Sequence, residues 1–272
     1  MTIYIINLKK DQERKVFQEK QLQALNLPYK ITPAVTIHDI SEETYRTHQN
    51  DWQRPLRKVE IACYYSHQHL WEKILQDNTP ALILEDDALL SKHLPQILIY
   101  LKTLTHIDYI NLEVVGRKKI VAKNCEEIPC CDAHLHKLYL DRNGTGGYIL
   151  HPSGAQKLLT LEKKIGIGLA DAHINACQDL ITYQIEPAVV IQLDQCHRYG
   201  IVPPLNAVSN IGTQSKPHIP TKNRLFFALK RLTSQVQQGI QHLVHITDAT
   251  KREINIRSQD FFLAHDKRNP DA

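Results

Sequence analysis

The chain alternates between short apolar runs and amphipathic stretches over most of its length. Apolar, partly β-branched runs predict strands, whereas apolar positions that recur every three or four residues predict helices. The predicted strands are residues 2–8, 29–32, 81–84, 109–115, 135–140, 148–150 and 185–193. The predicted helices are residues 11–25, 59–76, 95–104, 153–159 and 169–180. Strands and helices that alternate in this way predict an α/β fold with a layered sheet.

Three stretches lack a periodic pattern. Residues 36–56 are polar and are interpreted as a long loop or short helices over one edge of the sheet. Residues 117–133 are interpreted as a polar insertion, and residues 196–220 contain four prolines, which are typical of an extended segment. We therefore predict a catalytic domain over residues 1–200, an extended linker over 201–221 and a C-terminal region over 222–272.

The C-terminal region begins with a pattern that predicts a basic amphipathic helix at residues 222–244. Its apolar positions step by three or four and are Leu225, Leu229, Leu232, Val236, Ile240 and Leu243. Its basic residues Lys222, Arg224, Lys230 and Arg231 all lie in the first half. This pattern is typical of helices that bind a membrane surface. Packing on the catalytic domain and formation of a homodimer are the alternatives.

Composition narrows the class of protein. The 272 residues are 42% hydrophobic and 23% charged, as in ordinary globular proteins. The excess of 33 basic over 29 acidic residues is too small to indicate a nucleic-acid partner. The N-terminus does not resemble a signal peptide, no run is long enough to span a membrane, and the six cysteines are scattered. These features predict a cytoplasmic protein with reduced thiols.

The most informative stretch is the predicted strand 81–84, which is followed directly by Glu85, Asp86 and Asp87. Three carboxylates in a confined cleft raise one another's pKa unless a cation is present. Mg²⁺ and Mn²⁺ prefer one or two carboxylates together with phosphate oxygens, and Glu85 and Asp87 share one face of an extended segment. A metal site that also binds a diphosphate is one interpretation. A solvated acidic turn that caps the next helix is the other, and the triplet alone leaves both open.

Several motifs together carry a family resemblance. They are Val59-Glu60-Ile61-Ala62-Cys63-Tyr64-Tyr65-Ser66-His67 with Leu70-Trp71, then Leu84-Glu85-Asp86-Asp87-Ala88-Leu89-Leu90, then Gly144-Thr145-Gly146-Gly147-Tyr148-Ile149-Leu150. In order and spacing they resemble the bacterial lipooligosaccharide galactosyltransferases of glycosyltransferase family 25. The first strand with Arg14, and Asp171 after the glycine-rich turn, also look like that family. The resemblance covers about residues 3–195.

The resemblance implies a GT-A-like, Rossmann-like mixed sheet flanked by helices, here with a C-terminal amphipathic helical extension. It also implies a nucleotide-sugar donor, most commonly UDP-galactose, and transfer with inversion to a hydroxyl of a lipid-linked lipooligosaccharide or lipopolysaccharide acceptor. Such an enzyme is expected on the cytoplasmic face of the bacterial inner membrane, bound peripherally. A single in-line displacement needs a base for the acceptor proton, a cation for the departing diphosphate, and close positioning of both substrates.

Roles follow for the acidic residues. Asp171 is the preferred catalytic base and Glu113 is its rival; a helix N-terminal acid and a strand-end salt bridge are the respective structural alternatives. Asp87 is expected to be the main ligand of Mn²⁺ or Mg²⁺. Glu85 or Asp86 is expected to be a second ligand or a contact to the donor ribose, so that the triplet is a variant of the D-x-D motif.

Other residues are candidates for donor contacts. Asn7 and Arg14 are expected at the nucleotide end, and Ser66 and His67 at the donor or acceptor. The expected role of Gly146 and Gly147 is to let the backbone approach the donor sugar; a plain hairpin turn is the alternative. His197 and Arg198 follow the last core strand, where a C-terminal segment could complete the metal site and hold the diphosphate. A polar tail is the alternative for this pair.

The remaining candidate site is a cysteine and histidine cluster at Cys125, Cys130, Cys131, His134 and His136. The residue types suit zinc, but the paired C-x-x-C spacing of structural zinc sites is missing, so a thiol-rich surface insertion is preferred.

Two alternative functions stay open for the whole protein. One is a catalytically inactive GT-A-like protein that binds a sugar or a partner. The other is a nucleotidyl- or phosphotransferase that uses the acids for two metals.

Overall fold

The computed structural model describes residues 1–205 and 224–261, which form a mixed α/β structure. The strands are β1 Thr2–Asn7, β2 Lys30–Pro33, β3 Ala81–Glu85, β4 Ala88–Leu90, β5 Tyr109–Asn111, β6 Glu113–Val114, β7 Lys119–Ile128, β8 Ala133–Leu140, β9 Gly147–Leu150, β10 Thr182–Glu186, β11 Val190–Gln192 and β12 Ala249–Arg252. The α-helices are α1 Gln12–Ala24, α2 Glu42–His48, α3 Lys58–Asp77, α4 Leu94–Leu101, α5 Pro152–Ile165, α6 Ala170–Ala176 and α7 Arg224–Val244. A 3-10 helix covers Leu193–Tyr199.

The strands form a nine-stranded sheet in the order β12-β7-β8-β10-β5-β9-β3-β1-β2 and a three-stranded sheet in the order β4-β11-β6. In the large sheet, β2, β1 and β3 are parallel, and β9 runs antiparallel between β3 and β5. The predicted α/β architecture, a mixed sheet flanked by helices, is therefore confirmed.

Three segments of the chain each contribute one strand to the large sheet and the next strand to the small sheet. The chain leaves the large sheet after β3, β5 and β10, and it then forms β4, β6 and β11 of the small sheet. For this reason the predicted strands 109–115 and 185–193 are each interrupted. Residues Glu85, Asp86 and Asp87 lie at the first of these crossings, which places them where the two sheets meet.

Alternation along β1 shows how the large sheet separates two cores. Ile3 and Ile5 pack on one face with the cluster that contains Leu22 of α1, because neighbouring side chains of a strand point to opposite faces. Tyr4 and Ile6 pack on the other face with a cluster that includes α3 and α5; its largest members are Tyr64, Trp71, Tyr109 and Tyr148.

The prediction of a polar insertion at residues 117–133 is wrong, because most of it forms β7. The strand is antiparallel to β8 and to β12. Its first half supplies buried Ile120 and Val121, whereas residues 123–127 are exposed. The exposed half of β7 carries polar side chains, so the sequence shows no apolar alternation there. Backbone hydrogen bonds to the neighbouring strands hold this half in the sheet.

Strand β12 shows that the predicted C-terminal region is not wholly separate from the rest of the chain. Ala249 to Arg252 pair with β7 and extend the large sheet, so this part of the predicted region 222–272 joins the sheet that residues 1–200 form. The predicted catalytic domain at residues 1–200 stays a prediction. Most of the predicted linker 201–221 lies outside the described residues, and its role stays a prediction.

The six cysteines are free thiols. Cys125 lies on the exposed half of β7, and Cys130 and Cys131 lie in the turn between β7 and β8. His136 does not face a metal with them: its Nδ1 lies 3.2 Å from the Ala122 carbonyl oxygen, and its Nε2 lies 3.2 Å from a Glu186 carboxylate oxygen.

Candidate active site

The site begins at the carboxyl ends of β1 and β3, which are parallel neighbours with Ile6 opposite Glu85. Ligand sites of open α/β sheets form at this edge because the strand ends leave a crevice there. Asn7 is the last residue of β1, and its side-chain amide donates a 2.9 Å hydrogen bond to Asp86. Sequence and strand pairing thus bring Asn7 and the acid triplet together.

Asp86 is the acid that the protein itself satisfies most fully. Its Oδ2 accepts the hydrogen bond from Asn7, and its Oδ1 accepts one from the Arg14 guanidinium at 2.9 Å. Burial raises the pKa of Asp86 and outweighs these two bonds, which act in the opposite direction. The backbone of the turn is fixed as well, because the buried Gln18 amide donates to the carbonyls of Asp86 and Ala88 at 3.1 and 2.7 Å.

Glu85 lies within reach of three polar side chains. Its Oε1 accepts a hydrogen bond from the Thr145 hydroxyl and lies 3.3 Å from His67 Nε2. Its Oε2 accepts one from the Gln192 amide at 3.2 Å. Burial would raise the pKa of Glu85, but the contacts with His67 and Thr145 and the charge of Arg14 outweigh it, so the pKa is lowered. Glu85 is therefore held as a carboxylate.

Asp87 has much weaker compensation for its charge. Arg14 lies 3.7 Å from its Oδ2, and the Gln192 amide lies 3.4 Å from its Oδ1. Burial, followed by repulsion from Glu85, raises the pKa of Asp87 to about 7, although Arg14 opposes the shift. Glu85 and Asp87 thus face the same Gln192 amide, and the positive charge around them is too small to balance both carboxylates. Two such carboxylates are ligands that suit a hard divalent cation.

His67 is buried on α3 and connects Glu85 to the aromatic core. Its Nδ1 lies 2.9 Å from the Tyr148 hydroxyl, which accepts a hydrogen bond from Trp71 Nε1 at the same distance. If Tyr148 donates to Nδ1 and His67 donates from Nε2 to Glu85, every donor of this series of hydrogen bonds has an acceptor. The neighbouring Ser66 instead accepts from the Val35 amide and donates to the Ala62 carbonyl, both at 2.9 Å.

The glycine-rich turn before β9 packs against the same acids. Gly144 has a φ of +94°, and a Cβ there would lie 2.4 Å from Glu113 Oε1. The amide of Gly146 donates to Glu113 Oε1 at 2.8 Å, and the Glu85 amide donates to the Gly146 carbonyl. A Cβ on Gly147 would lie 2.7 Å from Val190. The protein's own close packing therefore accounts for these glycines, and their predicted approach to a donor sugar stays a prediction.

Glu113 is completely buried at the start of β6. Burial, then repulsion from Glu85, raises its pKa well above the ordinary value. Its Oε2 has no hydrogen-bond partner within the described part of the chain. The buried Lys119 ammonium donates to the Glu113 backbone carbonyl and to the Gln184 side chain, at 3.2 and 2.6 Å, instead of to the carboxyl group. The raised pKa favours the uncharged form of Glu113.

Asp171 lies half-buried in the first turn of α6 and accepts a 2.7 Å hydrogen bond from the amide of Ala172. Burial raises the pKa of Asp171, and the charge of Glu85 adds to that effect. The charges of Arg117 and His67 oppose the shift. The role of Asp171 as the catalytic base stays a prediction.

His197 lies exposed on the 3-10 helix, and its neighbour Arg198 forms an ion pair with Glu253 at 3.1 Å. Over residues 1–205 and 224–261, the structure shows no hydrogen bond from His197 to the acids and no group of three or more His, Cys, Asp or Glu side chains arranged around a metal ion. The structure brings together Glu85 and Asp87 from the predicted metal ligands, and His197 as a ligand stays a prediction.

Two residues that contact the acids were missed as site candidates. Thr145 was part of the glycine motif but received no role, and Gln192 ends β11 without a motif around it. The only signal for Gln192 was its position at the end of a predicted strand, and a polar residue there is common.

Comparison with known proteins identifies the family. The sequence model described as glycosyltransferase family 25 (LPS biosynthesis protein) matches residues 1–174. The chain belongs to glycosyltransferase family 25. It is 29% identical over 205 residues to a putative glycosyltransferase of Haemophilus influenzae, covering 70% of this chain and 69% of that protein. It is 23% identical to the lipooligosaccharide biosynthesis protein lic2B of Haemophilus influenzae, covering 81% and 85%.

The comparisons also found an animal galactosyltransferase and a solved structure. Procollagen galactosyltransferase 1-A of Xenopus laevis is 24% identical over 69% of this chain, which spans 35% of that protein. A solved structure of a Drosophila β-1,4-galactosyltransferase 7 mutant with manganese, UDP-Gal and xylobiose aligns over 80% of this chain and 81% of that one, with a TM-score of 0.34 and 8% identity. The resemblance that the motifs predicted is confirmed at the level of the family.

Proposed function

We propose that this glycosyltransferase family 25 protein transfers a hexose, with galactose as the first candidate, from a UDP-sugar to a hydroxyl of a lipooligosaccharide or lipopolysaccharide acceptor, with inversion. The observation that carries the proposal is the pair Glu85 and Asp87, two half-buried carboxylates at the sheet edge whose negative charge is incompletely compensated. The name of the lic2B relative supports the acceptor class, and the names of the galactosyltransferase relatives support the sugar.

The site fits a divalent cation such as Mn²⁺ or Mg²⁺, because the charge of Asp87 is poorly compensated. Glu85 and Asp87 would hold the cation, which would act as a Lewis acid that stabilises the departing diphosphate. His67 and Thr145 keep Glu85 ionised and fix its orientation. Asn7 and Arg14 hold the turn through Asp86, and both are the proposed contacts to the nucleotide end of the donor.

Asp171 is the proposed base that takes the acceptor proton. Its raised pKa brings the proton affinity of the carboxylate closer to that of the reacting hydroxyl in the transition state, and it is half-buried, not sealed off. Glu113 is unsuited to this role, because it is completely buried, its raised pKa favours the uncharged form, and it already accepts a hydrogen bond from the Gly146 amide.

Helix α7 supports a membrane-bound acceptor. Its side chains Phe227, Lys230, Ser234, Gln238 and Gln241 are buried or half-buried. Lys230 donates to the carbonyls of Asn50 and Asp51, and Arg231 donates to that of Gln53. The apolar residues lie on the opposite face and are 53 to 72% exposed: Leu225, Leu229, Leu232, Val236, Ile240 and Leu243. Thus the helix docks mainly through polar groups and displays its apolar face.

We propose that this apolar face lies on the inner face of the bacterial inner membrane. The helix contains Arg224, Lys230, Arg231 and His242 but no acidic residue, which matches an anionic lipid surface. No helix among the described residues is long and apolar enough to cross a membrane. The alternative is that the same apolar face joins two copies of the chain in a homodimer.

A panel of nucleotide sugars tests the reaction. The intact protein is incubated with UDP-galactose, UDP-glucose, UDP-N-acetylglucosamine and GDP-mannose in the presence of Mn²⁺, and release of the nucleoside diphosphate is measured with and without a chelator. We expect chelator-sensitive release from UDP-galactose above the other donors. No release from any donor, together with donor binding that Asp87→Ala leaves unchanged, would support an inactive sugar-binding protein instead.

A further inference from the structure

The side chain of Gln192 lies between the two carboxylates that the proposed cation needs. Its amide nitrogen is 3.2 Å from Glu85 Oε2 and 3.4 Å from Asp87 Oδ1. The backbone holds this residue beside the acids, because Gln192 pairs with Ala88 in the small sheet and the Leu193 amide donates to the Asp87 carbonyl at 3.0 Å.

A cation that binds both carboxylates must lie close to this amide. Magnesium-type cations bond to oxygen at about 2.0 to 2.1 Å, so the cation and the amide NH₂ group compete for the same space. The amide nitrogen is not a ligand for such cations, but the amide oxygen is. Rotation about the terminal bond of the side chain exchanges the two, because the amide is planar and almost symmetric in shape.

Two neighbours restrict where the Gln192 side chain can go. A Cβ on Gly146 would lie 2.6 Å from Gln192 Cγ, so the turn packs directly against the side chain. The same point lies 2.8 Å from Glu113 Oε2, the completely buried oxygen that has no partner within the described residues. A buried polar atom without a partner among the described residues therefore lies beside Gln192, on the far side of Gly146.

We propose that Gln192 is the third side chain of the cation site and presents its amide oxygen to the cation beside Glu85 and Asp87. This inference rests on the proposed metal dependence and adds a residue to it. In the metal-free state the amide donates to both carboxylates and separates their charges. When the cation binds, the Gln192 amide rotates so that its oxygen binds the cation. The two hydrogen bonds from the amide NH₂ group to Glu85 and Asp87 are then lost, and the bonds of both carboxylates to the cation replace them.

The test is Mn²⁺ binding to the intact protein without donor or acceptor, measured by the loss of the free Mn²⁺ signal in electron paramagnetic resonance. Gln192→Leu keeps the size and removes the oxygen, and Gln192→Glu keeps an oxygen and removes the NH₂ donor. We expect Gln192→Leu to raise the Kd by about tenfold or more, in the range of changes to metal-site partners. Gln192→Glu is expected to bind at least as tightly as the wild type.

Gln195→Glu, which adds the same charge in the following 3-10 helix, is the matched control and should leave the Kd within about twofold of that of the wild type. Weaker binding by both Gln192 variants would overturn the proposal and assign Gln192 to orienting the carboxylates. Unchanged binding in both variants would exclude any role. If the wild type binds no Mn²⁺ at all, the proposed metal dependence fails, and the inference that Gln192 is a ligand fails with it. Thermal unfolding without metal checks that each variant is folded.

Discussion

At the residue scale, the acids of the site differ in the partners that the protein provides. The side chain of Asp86 contacts Asn7 and Arg14, and that of Glu85 contacts His67 and Thr145. Among the residues that the structure describes, the Asp87 carboxylate has longer contacts, at 3.7 Å to Arg14 and 3.4 Å to Gln192. Asp86 therefore stabilises the turn, whereas the charge of Asp87 is incompletely compensated and is available to a cation. This division favours Glu85 over Asp86 as the second carboxylate of the proposed cation site.

The choice between the two candidate bases can be tested because their protonation states differ. Glu113→Gln replaces a neutral acid with a neutral amide of the same shape, so we expect kcat to stay within about tenfold of the wild type. Asp171→Asn removes the proposed base and is expected to lower kcat by about 10² to 10⁴ while the donor Kd is retained. Transfer rates at saturating donor and donor binding by calorimetry check both. A large loss for Glu113→Gln with normal Asp171→Asn would reverse the assignment.

Part of the site could be predicted from the sequence because motifs mark it locally. Asn7, Arg14, His67 and the acid triplet all lie on segments with recognisable patterns, and the structure brings them together. Gln192 could not be predicted, because its contacts depend on β11 returning beside β4, a pairing between residues about one hundred positions apart in the chain. Ser66 shares a motif with His67, yet helix geometry turns it toward Val35.

At the element scale, the crossings between the two sheets decide where chemistry is located. Strand periodicity predicted β3 and β5 well, since both faces of the large sheet are buried there and both strands begin as apolar runs. It missed most of β10, because Thr182 and Gln184 interrupt the apolar pattern, and the predicted strand 185–193 overlaps β10 only at Ile185 and Glu186. The breaks after these strands were not predictable, because the apolar pattern continues into the small sheet. At the crossing after β3, three consecutive acidic residues follow the apolar run, and there the prediction of a site at the strand end followed directly.

Helix α7 offers a prediction about membrane binding. Leu232→Glu with Ile240→Glu places charges on the exposed apolar face without touching the docked polar face. Each Leu- or Ile-sized side chain that inserts into lipid contributes about 1.5 to 3 kcal/mol, so we expect binding to anionic vesicles to fall by roughly 100-fold or more. Sedimentation with vesicles of phosphatidylglycerol and phosphatidylethanolamine measures this.

Two controls separate the membrane from other partners. Gln235→Glu adds a charge on the exposed flank of α7 and should reduce vesicle binding only slightly. Vesicles without anionic lipid should bind the wild type more weakly, because the basic residues then lose their attraction. Concentration-dependent dimers in light scattering that the double variant abolishes, with no vesicle binding by the wild type, would show that the face joins two copies instead.

At the scale of the whole molecule, a buried cluster ties the C-terminal part of the chain to the sheet. Glu186 ends β10, and its carboxylate accepts hydrogen bonds from the Arg252 guanidinium of β12 and from the Asn255 amide. His136 of β8 lies 3.2 Å from the same carboxylate. The domain boundary could not be predicted here, because a four-residue strand of mixed polarity joins the sheet through backbone pairing and this one buried ion pair.

This cluster predicts how stability depends on acid. Burial alone would raise the pKa of Glu186, but His136, Arg252 and the Asn255 amide outweigh burial and lower it to about 2. A lowered pKa contributes stability that is complete above the unfolded value near 4.5 and is lost as pH falls from there through about 2. Glu186→Gln should therefore lower the free energy of unfolding at pH 7 by about 2 to 3 kcal/mol, and the difference from the wild type should shrink toward pH 3. Urea unfolding at pH 7, 5, 4 and 3 measures the free energy of unfolding and its dependence on pH. Glu127→Gln, on the exposed half of β7, is the control and should leave both quantities unchanged. If Glu186→Gln differs from the wild type by the same amount at every pH, the carboxylate charge does not hold β12 in place.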